Sequence, residues 1–413
     1  MKIKANFFEK VRSIGFLLII VTLIYNSGYL LITTSKSIGT ILMIPTSIIL
    51  GCMLLKKGFK KKLTIKHIAF FYFIIIYVMT FTINAEFSSY KLYITYLLYI
   101  VIAFFLSQVI SFSNFINYYL KSVKVITLIS LIMFFLINVL GISLNFPLIE
   151  NVNGRIFYNA WIYFYPLYTG YARNQALFWE PGLFSSILIF AIIFELKFKR
   201  VKTSLINIAI FILGLISAHS TAGIILLIPI FVLFLDRKYK KGRNIKSIAL
   251  GILVIIIFLF CYINYENIIL MLISQNEEVF GKLLNDGSRK TSRIGAPLIN
   301  LIIFSKHPIF GVGFGEATIQ FIKLAPNYLV DSQTSTSTFM MAALGIPGFL
   351  YTMFWIYGVL ILKKTNFLSK ITLILIIICI LNKEPHQGIL ISWCILFYLL
   401  EGPRKKYSQK IRC

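Results

Sequence analysis

Negative charge is scarce in this chain. Only 14 of its 413 residues are Asp or Glu, against 41 Lys and Arg, and charged residues of both signs make up 13%. A soluble domain carries about 25%. With 58% hydrophobic and 16% aromatic residues and a mean hydropathy of +0.85, that deficit excludes a soluble enzyme, a disordered regulator and a secreted disulfide scaffold. Cysteine is sparse too. Cys52, Cys261, Cys379 and Cys394 lie in apolar runs and Cys413 is the last residue, so no disulfide framework or metal-ligand spacing exists. There is no Walker A loop, no dinucleotide glycine fingerprint, no zincin helix and no 20–50-residue repeat. No cofactor and no metal are expected.

Apolar runs dominate what is present. A helix needs about 20 apolar residues to cross the hydrocarbon core. Candidate spans fall near 14–32, 38–55, 67–84, 92–111, 125–142, 178–196, 203–218, 221–235, 247–264, 338–362, 370–382 and 387–400. The first lacks a small-residue cleavage site and reads as a retained helix. With the N-terminus inside, the inner segments collect 30 basic and 4 acidic residues, the outer ones 11 and 10. The positive-inside rule then puts both termini in the cytoplasm. Basic runs such as Lys56-Lys57 and Lys60-Lys61-Lys62 read as topology signals and lipid contacts, not as a nucleic-acid surface. The fold expected is all-α: one polytopic membrane domain over 1–413 with about twelve helices. Two larger outer loops, 143–177 and 265–337, would carry the chemistry on that scaffold.

Ionisable residues in those outer loops need explaining. Arg173 and Glu180 lie seven residues apart where a span begins, beside Phe178, Trp179 and Pro181. Glu180 can cap the helix while Arg173 pairs with it. The same residues can bind an anionic lipid-linked substrate at the membrane face, with Glu180 orienting the arginine or acting as base. In the second loop Arg289 and Arg293 are four apart, so on a helix they share a face. They could fork onto a phosphate or snorkel from an interfacial helix. Gly311, Gly313 and Gly315 suit a phosphate cradle or a tight re-entrant turn equally. Residues 298–310 are expected to lie against or dip into the outer membrane face, with Arg293 near Arg173. His307 and His386, in outer segments, are candidate bases or hydrogen-bonded structural residues, as is His219 in the polar hinge Ser217–Gly223. The run from Asp331 to Thr338 can cap the next span or hold sugar hydroxyls.

Taken in order, several motifs resemble the O-antigen ligase/polymerase superfamily of bacterial membrane glycosyltransferases. They are Arg173…Glu180-Pro181-Gly182, His219-Ser220-Thr221-Ala222-Gly223, Ser292-Arg293, His307-Pro308-Ile309-Phe310-Gly311-Val312-Gly313 and Leu344-Gly345-Ile346-Pro347-Gly348, covering roughly 170–350. The resemblance implies a multi-pass protein of the bacterial cytoplasmic membrane with its site facing outward. Undecaprenyl diphosphate-linked glycans would be donor and acceptor, membrane lipids the surroundings, and a flippase and chain-length regulator pathway partners. It assigns the diphosphate to Arg173 and to Arg289 or Arg293. Ligases of the family carry a His-Asn pair before the Leu-Gly-Ile segment. Here Ser335-Thr336-Ser337-Thr338-Phe339 has no histidine, and Ser220 is followed by Thr221 instead of arginine. The missing histidine favours the polymerase branch over a ligase that attaches glycan to another acceptor. The acceptor hydroxyl needs a base, and Glu180, Asp331, His307 and His386 are its candidates. A lipid-linked oligosaccharide flippase is the rival reading. It would call for mid-span charge on many helices, and here the spans are nearly free of it while ionisable residues collect on the outer side.

Overall fold

In hydrocarbon every backbone N–H and C=O must find its partner inside the protein, so long apolar runs become helices. A computed structural model describes residues 2–31, 36–57, 63–142, 146–151, 154–167, 173–199, 203–238, 292–328, 330, 332–363 and 365–401. The first five helices are α1 (Lys2–Tyr25), α2 (Lys36–Lys57), α3 (Ile65–Ile83), α4 (Tyr90–Val109) and α5 (Phe112–Phe134). After a small sheet come α6 (Pro181–Ile193), α7 (Leu205–Ser217), α8 (Thr221–Ile225) and α9 (Leu227–Lys238). The last are α10 (Ser292–Lys306), α11 (Phe314–Leu324), α12 (Thr336–Leu344), α13 (Ile346–Leu360), α14 (Phe367–Leu381) and α15 (Leu390–Leu400). Among the described residues, four helical stretches are long and apolar enough to cross a membrane: Ile65–Ile83, Phe87–Val109, Phe112–Asn138 and Pro181–Phe198. Eight shorter apolar helices accompany them. The architecture is that of an α-helical membrane protein.

Burial sorts the helices into centre and rim. Every residue of α6 and α15 is buried. The outer helices instead keep apolar faces exposed, for instance Leu18, Ile48, Phe71, Ile75, Ile132 and Leu213. Exposed apolar stripes of this kind suit lipid and not water. At one end of the bundle Lys66 approaches the Ser107 hydroxyl at 3.5 Å and Glu401 at 3.9 Å. At the same end the Tyr398 hydroxyl donates to the carbonyls of Leu106 and Ile110. The buried Glu195 carboxylate takes bonds from Lys199, the Ser204 amide and Asn207. At the opposite end Trp179 N–H bonds the Gly28 carbonyl, Leu30 N–H that of Leu177, and Ile391 N–H the Ser27 hydroxyl.

Three features depart from the sequence expectation. To the helices the structure adds a three-stranded antiparallel sheet, β1 (Leu148–Glu150), β2 (Ile156–Asn159) and β3 (Phe164–Pro166). It buries Phe157, Asn159 and Phe164 on one face. Tyr158 and Tyr165, paired across the other, stack at 4.5 Å. Second, α5 starts at Phe112, where Ser111 caps it, thirteen residues before the expected span; its first turns are amphipathic, with Phe115, Ile116 and Tyr119 buried. Third, the expected single span 338–362 is two helices, broken at Gly345. Span 247–264 lies outside the described residues.

The break at Gly345 has a physical cause. Helices α10 and α11 form a hairpin whose tip, His307 to Gly313, docks into it. Val312 N–H and Gly313 N–H cap the Ala342 and Ala343 carbonyls at the end of α12 (3.1 and 2.9 Å), and Ile346 N–H at the start of α13 bonds the Pro308 carbonyl (2.7 Å). Gly345 has φ +72°, and a Cβ there would lie 2.7 Å from Phe310 N. The tip packs onto the break through Gly311 to Gly313, which are buried, while His307 to Phe310 are exposed. Pro347, beside it, accepts a bond from Tyr72, seven residues into α3 and so roughly 10 Å from that helix's start. This is a helical hairpin docked into a helix break. Its irregular backbone is tolerated because protein groups satisfy it.

Candidate functional site

The segment that carries Arg173 is held by its backbone. Asn174 is fully buried: its amide donates to the Ser217 carbonyl (2.9 Å), its side-chain nitrogen reaches the Ser130 and Ser217 hydroxyls, and its side-chain oxygen accepts from Ala176 N–H. Phe164 N–H of β3 bonds the Ala176 carbonyl, which ties the segment to the sheet. Arg173 therefore projects from a clamped backbone, and its Nη2 donates to the His219 carbonyl at 3.2 Å. His219 lies in the turn between α7 and α8 with φ +46°. A non-glycine residue seldom adopts that conformation, and such strain gathers at functional sites.

The chain then enters α6. Glu180 is its N-cap residue in extended conformation, Pro181 opens the first turn, and the half-buried carboxylate stands at the positive end of the helix. One turn inside, Ser185 bonds the Gly182 carbonyl (2.7 Å) and the Ser220 hydroxyl (3.1 Å). Ser220 in turn caps α8 by accepting from Gly223 N–H (3.3 Å). The ammonium of Lys383 donates to the Ser185 hydroxyl. Arg173 and Lys383, 210 positions apart in the chain, are thus linked by one short path: guanidinium, His219 carbonyl, Ser220, Ser185, ammonium.

Lys383 belongs to the buried turn between α14 and α15. Lys383, Glu384, His386 and Gln387 are each at least 96% buried. Thr336, at the start of α12, organises this turn. Its hydroxyl is paired with the Glu384 carbonyl (2.8 Å) and the Gln387 side-chain oxygen (2.9 Å), and it accepts from His386 N–H (2.6 Å). The His386 ring pairs with the Ser392 hydroxyl at 2.8 Å and packs edge-on against Phe190. Burial, with the positive charge of Lys383 as the lesser cause, pushes its imidazole down to about 3. A base so weak and so enclosed serves structure better than proton transfer. Nearby Ser335 bonds Asn382 and Thr338, and Asn300 of α10 joins Thr338 and Gln333. Ser335, Thr336 and Thr338 thus spend their hydroxyls inside the protein, whereas the buried Thr334 and Ser337 hydroxyls meet no hydrogen-bond partner among the described residues.

The glycines of the hairpin cradle a carboxylate. Glu86, in the turn before α4, is 93% buried and accepts from Glu316 N–H at 2.6 Å, at the N-terminus of α11. A Cβ on Gly313 (φ +86°) would lie 2.6 Å from Glu86 Oε1, and Phe314 N–H donates to the Tyr93 hydroxyl. The anion position that a phosphate cradle would offer is filled by the protein's own side chain. Gly311 and Gly313, at φ +64° and +86°, form a tight turn packed on the protein's own groups.

Of the residues singled out from sequence, Arg173 and Glu180 flank one clamped segment, and His386 lies on the turn that carries Lys383. His307 is exposed at the hairpin tip, in a different neighbourhood. Arg293 falls in the first turn of α10 and its side chain is outside the described residues, as are Arg289 and Asp331 altogether. Sequence reasoning missed Lys383, Ser185 and Glu86. Lys383 counted as an ordinary outer-loop cation; its signal was a lysine enclosed by two short apolar runs. Compared with protein-family models and with curated proteins, the chain matches none.

Proposed function

We propose that this protein polymerises undecaprenyl diphosphate-linked oligosaccharide repeat units on the outer face of a bacterial cytoplasmic membrane, in a multi-pass topology of about twelve spans with both termini cytoplasmic. The observation that carries the reading is Arg173. It is a partly buried guanidinium on a rigid backbone at the mouth of α6, joined through a strained turn to the buried Lys383. An ionisable cluster inside an apolar bundle is expensive to keep unless it serves function. Its place supports an outward site, because this end is the one remote from the basic segments around Lys66 and Lys199.

The chemistry needs little beyond positioning and charge. The acceptor hydroxyl forms a new C–O bond at the donor's anomeric carbon while the bond to the diphosphate breaks and the acceptor loses its proton. The leaving group gains negative charge, which a fixed guanidinium stabilises. Glu180, half-buried beside the arginine's segment, is the group best placed among the described residues to take the proton.

The test uses purified protein in nanodiscs with synthetic undecaprenyl diphosphate-linked repeat units and no ATP. Wild type should build a ladder of chain lengths. Arg173→Lys keeps the charge but loses the bidentate fork and should lose most of the ladder. Absence of a ladder in wild type, with repeat-unit lipids crossing the bilayer instead, would make this a flippase and refute the reading.

A further inference from the structure

Helices α1 and α2 lean on different parts of the bundle: among the described residues α1 packs chiefly on α5 and α15, and α2 on α4. Between the two lies a groove of about 400 Å³, lined by Gly15, Leu18 and Thr22 of α1 and by Thr46, Ile49 and Met53 of α2. On each helix those residues follow the spacing i, i+3, i+7, so one face of each forms a wall. Leu18 and Ile49 are both more than half exposed, so the groove opens toward lipid. The Thr22 hydroxyl donates to the Leu18 carbonyl of its own helix (2.9 Å) and leaves its methyl to the groove. Gly15 widens the far end, where a Cβ would meet nothing within 4 Å.

The near end of the groove leads to the segment that carries Arg173. Thr22 lies about one turn before Tyr25, the last residue of α1, and Gly15 roughly 15 Å before it. Past Tyr25 the chain pairs with the residues that follow Arg173: Leu30 N–H bonds the Leu177 carbonyl, Trp179 N–H bonds the Gly28 carbonyl, and Tyr29 bridges Phe178. We infer that the groove between α1 and α2 is the subsite for the polyprenyl tail of the lipid whose diphosphate binds at Arg173. The inference rests on the glycosyltransferase reading of that site. Moving a tail from the bilayer into the groove gains no hydrophobic energy, because lipid is as apolar as the groove walls. The tether supplies the preference instead. Once the head group is held at the mouth of α6, its tail enters the groove intramolecularly, at a high effective concentration that no free acyl chain shares. Dispersion contacts with the two walls then hold it in place.

The probe is undecaprenyl diphosphate with a diazirine on the isoprene units nearest the diphosphate, photolysed with the nanodisc-held protein and mapped by mass spectrometry. Wild type should be labelled within 15–22 and 46–53, at least about tenfold more than by undecaprenol carrying the same diazirine but no head group. Gly15→Leu fills the groove from a position remote from Arg173 and should cut that labelling about fivefold through the dispersion contacts the tail loses. Labelling confined to other helices overturns the inference. So does equal labelling by undecaprenol, or by a phospholipid with the diazirine in its acyl chain, which would make the groove ordinary lipid-facing surface; neither comparison needs a variant to fold. A Gly15→Leu protein labelled like wild type overturns it as well. If the diphosphate probe gives no saturable labelling anywhere on the protein, the glycosyltransferase reading itself is refuted.

Discussion

Replacing Gly313 by Ala tests whether Glu86 is the occupant for which the glycine loop is built. The substitution forces a methyl-bearing residue into φ +86°, ψ 165°, a region that glycine alone enters freely. That strain costs about 1–3 kcal/mol. The new methyl also meets the Glu86 carboxylate, with Oε1 at 2.6 Å; crowding a packed site adds about 1–3 kcal/mol. Glu86→Ala alone leaves Glu316 N–H without its acceptor at the start of α11. The lost charge-assisted bond is worth about 1.5–3 kcal/mol, and the favourable charge at a helix N-terminus about 0.3–1 more. In the double variant the carboxylate is gone and the methyl has room, so only the backbone strain and the lost bond remain. The double variant should therefore be less destabilised than the sum of the singles by about 1–3 kcal/mol. The assay is unfolding in mixed micelles with increasing SDS, followed by tryptophan fluorescence; Trp393 packs on Phe73 and Tyr77 near this site. Single effects that add to within about 0.5 kcal/mol would show the two residues to be uncoupled and refute the cradle.

Other parts of the structure make shorter predictions. Gly345→Ala places a Cβ against the backbone of Ile309 and Phe310, which cannot move aside as a side chain would, and adds left-handed strain. It should cost at least about 3 kcal/mol, read as a collapse of folded yield in detergent, while Gly15→Ala on α1, where a Cβ meets open space, should leave the yield unchanged. Asn174→Ala removes the side chain that bridges Ser130, Ser217 and Ala176 and should lower stability by about 2–4 kcal/mol, with a larger fractional loss of chain extension than of lipid binding, because Arg173 loses its aim. His386 has its folded pKa depressed, so the unfolded chain binds a proton that the native one refuses between about pH 6.5 and 3. Its contribution is present above pH 6.5 and lost as pH falls through that window. Melting temperature from pH 7 to 4 should therefore fall less steeply in His386→Gln than in wild type, and equal slopes would count against a buried neutral imidazole.

Particular residues show how far one-dimensional reading reached. Arg173 and Glu180 stood out because charge inside an apolar pattern is rare, and both flank the clamped segment that the structure places at the bundle's mouth. The Leu344-Gly345-Ile346-Pro347 motif was visible, but its span was read as unbroken, since hydropathy counts apolar residues and ignores where a backbone leaves its helix. The sheet escaped because strands of three or four residues carry too little alternation, although Asn151 to Gly154, with Gly154 at φ +74°, is a turn signal that precedes β2 directly. Lys383 and Glu86 are hard to single out for a different reason. Each is one charged residue in a polar stretch, and what sets it apart is burial by segments hundreds of positions away.

Composition and charge by themselves determined that this chain is helical and belongs in lipid, because a long apolar run in hydrocarbon must pair its own peptide groups, which a helix does with bonds local in sequence. They also separated a strongly basic set of segments from a nearly neutral one. Only the tertiary structure decided that the hairpin of α10 and α11 docks into the break at Gly345, that the glycine loop holds Glu86, and that Arg173 and Lys383 share a hydroxyl path. Those outcomes depend on which helix ends meet, and meeting is a matter of packing three-dimensional surfaces, which no window along the chain contains.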